Sequence, residues 1–146
     1  MITCFSTTKP FRGHIGIIQT NAIKSWTLLH PDCEIILFGK EEGLAELAES
    51  LRLRHVPEVA CNEYGTPLIN AMFEAAEKIA RHRLLCYVNA DIILMSDFIR
   101  AVHRVQFRKF LMVGQRWNLD VTEPLEYDDP AWEERLRATV REKGTL

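Results

Sequence analysis

Leu84-Leu85-Cys86-Tyr87-Val88 runs without a charge straight into Asn89-Ala90-Asp91-Ile92-Ile93-Leu94. An uncharged run this short predicts a parallel strand buried on both faces, and open α/β sheets bind ligands in the crevice beyond the carboxyl ends of such strands. Asp91 is expected at that edge. A carboxylate there can hold a hard divalent cation that completes its shell with phosphate oxygens and water. An Asp directly after a strand serves equally as a turn or capping residue, its side chain satisfying nearby backbone amides. Ser96 is the better N-cap for the helix expected near Phe98, which makes that duty less needed of Asp91.

Outward from this stretch, strands alternate with helices. Ile2 to Phe5 reads as a first strand, with Ser6-Thr7-Thr8-Lys9-Pro10-Phe11-Arg12-Gly13 as the loop leaving it. Ile15, Ile18, Ala22, Trp26 and Leu29 recur at helical spacing until His30-Pro31 stops them. Glu34 to Gly39 is a second buried strand with a glycine exit, followed by a helix near Leu44 to Leu51 and a short third strand over Leu53 to Val56. Pro67 to Arg81 is the clearest helix, with Leu68, Ile69, Met72, Phe73, Ala76, Ile79 and Ala80 on its apolar face and Pro67 suited to the first turn. After the strand ending at Val88, which is expected to be central and to shield Cys86, come a helix near Asp97 to Val105 and a strand from Phe110 to Gly114. A last helix opens at Asp129-Pro130 and runs to about Lys143, with Gly144 after its end. This alternation predicts an α/β fold: three layers, α/β/α, around a mainly parallel sheet joined by right-handed crossovers.

Composition narrows the function. A chain of 146 residues fits a single domain with its own core, and a net charge of -2 gives no general attraction to nucleic acid or anionic surfaces. Cys4, Cys33, Cys61 and Cys86 show no C-x-x-C pairing, and no segment reaches the roughly 20 apolar residues of a membrane span. With no basic-then-apolar leader at Met1, the expectation is a soluble, reduced, cytoplasmic chain. The five histidines lack paired ligand spacing, and no P-loop, dinucleotide glycine fingerprint or nucleophile elbow is present, which disfavours P-loop ATPases, dinucleotide dehydrogenases and α/β-hydrolases.

Read together, Gly65-Thr66-Pro67-Leu68-Ile69-Asn70-Ala71-Met72-Phe73-Glu74-Ala75-Ala76 and Tyr87-Val88-Asn89-Ala90-Asp91 resemble the GT-A fold nucleotide-diphospho-sugar glycosyltransferases, especially the family 2 type. There a helix carrying an Asn and spaced alanines precedes a strand ending in Asp-x-Asp. The resemblance covers about residues 1 to 115. It implies a Rossmann-like nucleotide-binding domain, a nucleotide-diphospho-sugar donor, an acceptor of unknown identity, and Mn²⁺ or Mg²⁺ on the diphosphate.

Carried over residue by residue, Asp91 becomes the metal ligand. Asn89 stands where the family has its first acid, so it can bond a ribose or sugar hydroxyl but lends the metal no charge. Ser6, Thr7, Thr8 and Lys9 match the loop that meets the nucleoside, and Lys9 or Arg12 can add charge toward the diphosphate. After the second strand either Glu41 takes the place of the family's base-facing acid or base recognition is lost or different. Asn70, near a helix N-terminus, is a binding candidate and equally an ordinary exposed Asn. The resemblance also implies that the acceptor side, a further metal-binding His and often the catalytic base come from later sequence, so residues 1–146 read as a donor-binding domain with the acceptor part missing.

No base is evident. Asp120, Glu123, Glu126, Asp128 and Asp129 qualify by type, in a stretch that is otherwise an acidic, solvated connector. Gln115-Arg116-Trp117-Asn118 either approaches a substrate or buries Trp117. The narrow stripe of Trp132, Leu136 and Val140 calls for packing on the sheet, on a second copy in a homodimer, or on later sequence. Two other functions fit the layout: a nucleotidyltransferase, disfavoured by the single glycine in Ser6 to Gly13, and a noncatalytic α/β interaction module in which Asn89-Ala90-Asp91 is only a turn.

Overall fold

The computed structural model describes residues 1–146. Its sheet is built from β1 (Ile2–Thr7), β2 (Glu34–Phe38), β3 (Arg54–Val56) and β4 (Leu84–Tyr87), all parallel, in the order β3-β2-β1-β4. The helices are α1 (Gly13–Thr27), α2 (Leu44–Ser50), α3 (Ile69–Ile79), α4 (Ser96–Arg104) and α5 (Trp132–Lys143). The expected three-layer, Rossmann-like parallel α/β architecture is what forms.

Strand periodicity sorts the core into two halves. Ile2, Cys4, Ile35 and Leu37 face one way and pack with Ala22, Ile23 and Trp26 of α1, Leu44 and Ala48 of α2, and Ile99 and Val102 of α4. Phe5, Ile36 and Phe38 face the other way, against Met72 and Ala76 of α3. The connections β1-α1-β2-α2-β3 therefore run over one face, and α3 returns over the opposite face to reach β4 on the far side of β1. That reversal makes the β1/β4 boundary the topological switch point of the sheet.

Several boundaries differ from the sequence expectation, each for a physical reason. Phe110 to Gly114 forms no strand: the segment is exposed throughout and pairs with nothing. Without it β4 is an edge strand, half-buried rather than buried on both faces, and Cys86 is half-buried with it. β1 continues through Thr7, two residues beyond Phe5. Pro67 bridges back to Cys61, so α3 starts only at Ile69 and leaves Leu68 and Ile69 exposed.

Ser96 is the first residue of α4 rather than its cap. Its N–H donates to Glu133 Oε1 at 2.9 Å, so a side chain from α5 satisfies that helix end. Asp129 caps a preceding turn through the Ala131 N–H (2.8 Å), and α5 begins at Trp132. Its apolar stripe stays within the chain: Leu136 is buried, and Trp132 meets Tyr127 edge-on with ring centroids 4.7 Å apart. Gly144 is needed for closeness, since a Cβ there would lie 2.5 Å from the Val140 carbonyl oxygen.

At the opposite edge of the sheet from the switch-point crevice, Glu34 is 7 % exposed and accepts hydrogen bonds from Thr3 Oγ1 and the Arg81 N–H, both at 2.7 Å. Burial pushes its carboxyl up, but these two bonds and the Arg81 and Arg54 guanidiniums outweigh that and hold it below its ordinary value. A depressed carboxylate pKa stabilises the fold above the ordinary value near 4.5, and this contribution disappears as pH falls through the lower folded value. Glu34→Gln is expected to lose about 1–2 kcal/mol at neutral pH. Urea denaturation should show the gap from the native protein closing as pH falls below the ordinary carboxylate value, and a gap independent of pH would contradict the assignment.

Cys4 and Cys86 are register partners on β1 and β4. The neighbouring Cys86 thiol and burial push the Cys4 thiol far up, while the contact with Cys4, working against burial, pulls Cys86 down. Cys61 is exposed. Alkylation of the native protein should reach Cys61 first, Cys86 more slowly and Cys4 only on unfolding; early labelling of Cys4 would contradict the central position of β1.

Candidate functional site

Three strand ends form the crevice: Thr7-Thr8-Lys9 after β1, Gly39-Lys40-Glu41 after β2, and Val88-Asn89-Ala90-Asp91 after β4. The Val88 N–H still donates to Phe5 O at 3.2 Å, so the β1/β4 register carries Thr7 and Asn89 to neighbouring positions just beyond the last ladder bond. Helices α1 and α3 run back against the strand direction. Their first turns, with His14 and Asn70, therefore lie at this same edge.

The backbone of the crevice is fastened while its functional side chains are free. Gln19 holds both sides of Lys9, accepting from its N–H at 2.7 Å and donating to its carbonyl at 2.9 Å. Trp26 Nε1 donates to Ile92 O at 2.8 Å, and Ser25 Oγ accepts from the Leu94 N–H at 3.0 Å, which fixes the segment after Asp91. The Phe11 N–H donates to Glu42 O at 2.9 Å, tying the β1 loop to the β2 loop. Gly39, at φ +115°, leaves room beside Thr7, whose Oγ1 would be 3.4 Å from any added Cβ.

Asn89 and Asp91 are exposed, and neither side chain makes a hydrogen bond or ion pair within the chain; the turn is closed by the Ile92 N–H on the Asn89 carbonyl at 3.0 Å. The turn thus stands without the Asp91 carboxylate. That carboxylate lies near Tyr87, whose phenol is pushed up first by burial and then by the negative charge of Asp91. Tyr87 in turn packs with Phe5 and with Phe73 of α3, giving the crevice an aromatic wall on the α3 side.

On the β1 side, Thr7 Oγ1 and Thr8 Oγ1 are buried without a partner, a costly state for a hydroxyl. The Lys9 ammonium makes no ion pair. Arg12 is committed to Glu42, the mutual hydrogen bond and charge raising the guanidinium and lowering the carboxyl. Ser6 lies inside β1, fully buried and donating to Thr7 O at 3.1 Å, so it has no surface to offer a ligand. Asn70 is exposed in the first turn of α3, with its side chain unbonded. Glu41 is half-buried.

The acidic stretch is held against α1 by Asn21, a buried residue whose side chain donates to Glu123 O and accepts from the Leu125 N–H, both at 2.9 Å; its own carbonyl accepts from Tyr127 Oη. Asp120 reaches His14 in the first turn of α1, at 3.9 Å. Asp129 is taken by Arg135 and by the turn it caps, which also keep its carboxyl low. Trp117 is half exposed rather than buried, and Arg116 Nε donates to Asn118 Oδ1 at 3.0 Å.

As a cation site the Asn89-x-Asp91 pair offers one carboxylate and one amide, and no group of three His, Cys, Asp or Glu side chains placed to hold a metal exists in the chain. This donor set fits a hard cation that takes most of its ligands from phosphate and water. It does not fit a metal held by protein alone. No family of proteins, curated protein or solved structure matches the chain.

Proposed function

We propose that the β1/β4 crevice binds a nucleotide-diphospho-sugar together with Mn²⁺ or Mg²⁺, and that the chain is the donor-binding domain of a glycosyltransferase acting on an acceptor yet to be named. The observation that supports it most is the unengaged Asn89-x-Asp91 pair on a fastened backbone at the topological switch point. Asp91 would hold the cation, and the bound cation would neutralise charge on the diphosphate leaving group. Asn89 donates to a ribose or sugar hydroxyl. Lys9 faces the diphosphate, and the unpartnered Thr7 and Thr8 hydroxyls lie at the β1 end where the nucleoside would sit. Asn70 contributes from α3.

Thermal melting against a panel of nucleotide sugars and nucleoside triphosphates, each with and without Mn²⁺, tests this reading. A ligand that binds only the folded chain raises the midpoint by mass action, by about 2.7 kcal/mol at a hundredfold excess over Kd. Stabilisation by one class of nucleotide sugar, dependent on Mn²⁺, is expected. A preference for triphosphates would make the chain a nucleotidyltransferase, and no shift with any nucleotide would leave a noncatalytic module.

A further inference from the structure

Between Phe98 and Asn118 the chain carries Arg100, Arg104, Arg108, Lys109 and Arg116 and not one Asp or Glu, whereas Asp120 to Glu134 is acidic. Net charge conceals this segregation. No ion pair occupies any of the five cations. Interleaved with them is the largest run of uncovered apolar side chains in the molecule: Phe107 is 77 % exposed, Leu111 90 % and Val113 84 %, with Phe110, Met112 and Trp117 also exposed. The run follows α4, which is anchored from within by Ile99 and Val102 and at its first turn by Glu133 and Arg137 of α5. A contiguous exposed apolar patch marks an interaction surface, and its unpaired positive charge states the sign of the partner.

From this we infer that Phe107 to Val113, with the flanking Arg104, Arg108, Lys109 and Arg116, docks the domain on an anionic membrane surface. Apolar side chains enter the headgroup and upper acyl region while the cations remain among the lipid phosphates and carboxylates. A nucleic acid would supply the same negative charge. It would bind by stacking bases on aromatic faces, yet the most exposed side chains here, Leu111 and Val113, are aliphatic and have no such face. The segment spans nothing, in keeping with the absence of any helix long and apolar enough to cross a bilayer. This inference does not depend on the nucleotide-sugar reading.

The test is co-sedimentation of the whole chain with phosphatidylcholine vesicles and with vesicles containing about a third phosphatidylserine, alongside poly-uridylate RNA. The native protein is expected to partition onto the anionic vesicles and to be released by salt. Arg108→Glu/Lys109→Glu and, separately, Leu111→Ser/Val113→Ser should each lower that partition by roughly tenfold or more while leaving the melting temperature unchanged. Partition unaffected by either variant, no partition at all, or binding to the RNA in preference to vesicles would overturn the inference. A lowered melting temperature in the serine variant would also overturn it, by showing that these side chains pack within the fold.

Discussion

Trp26→Ala is expected to destabilise the fold by about 3–5 kcal/mol, the cost of deleting a large aromatic from a packed interior. Trp26 is fully buried between α1 and the sheet, in the same cluster as Ile2, Cys4, Ile35 and Leu37. Its loss leaves a cavity and also leaves the Ile92 carbonyl without its donor. Against the 5–15 kcal/mol typical of whole domains, this is a large fraction. Trp26→Phe separates the two effects: it retains much of the packing but removes the N–H, so it should cost less than the alanine variant while loosening Asp91 to Leu94. Urea denaturation of both variants gives the comparison. A loss under about 1 kcal/mol for Trp26→Ala would contradict the packing of α1 on the sheet.

Much of this fold is legible in the chain because β1, β4 and β2 beyond its opening Glu34 are short uncharged runs separated by helical periodicity. The same rule misread Phe110 to Gly114. That segment has strand composition, but a strand exists only if it pairs, and pairing is a tertiary fact that composition does not carry. The placement of β4 at the centre of the sheet failed with it, whereas the exit of Asn89 and Asp91 beside β1 depends only on the β1/β4 ladder.

The polar anchors on α1 were not read at all. Gln19, Asn21 and Ser25 are buried, yet an apolar-periodicity argument assigns polar residues to the solvent face. One signal was available: Gln19 falls on the same helical face as Ala22, Ile23 and Trp26, and a polar side chain on a core-facing stripe needs a hydrogen-bond partner. Ser6 was misplaced for the converse reason, since a small hydroxyl extends a strand as readily as it opens a loop.

Asp91→Ala carries the second large effect. The carboxylate is exposed and bonds to nothing in the chain, so its removal should leave the denaturation midpoint within about 0.5 kcal/mol of the native value, as for an ordinary surface position. It is the only acid in the Val88 to Met95 segment that leaves β4, and without it that segment offers the cation no anionic ligand. Asn89→Ala removes a neutral hydrogen bond and should weaken donor binding by only about 1 kcal/mol. The most direct measurement is calorimetric titration of a nucleoside diphosphate into the native protein and into Asp91→Ala, each with Mn²⁺ and with chelator. Binding by the native protein that requires Mn²⁺ and is lost in Asp91→Ala, with both proteins equally folded, is the expected result; equal binding by the two proteins, or none by the native one, would contradict the β1/β4 crevice as a metal-dependent nucleotide site.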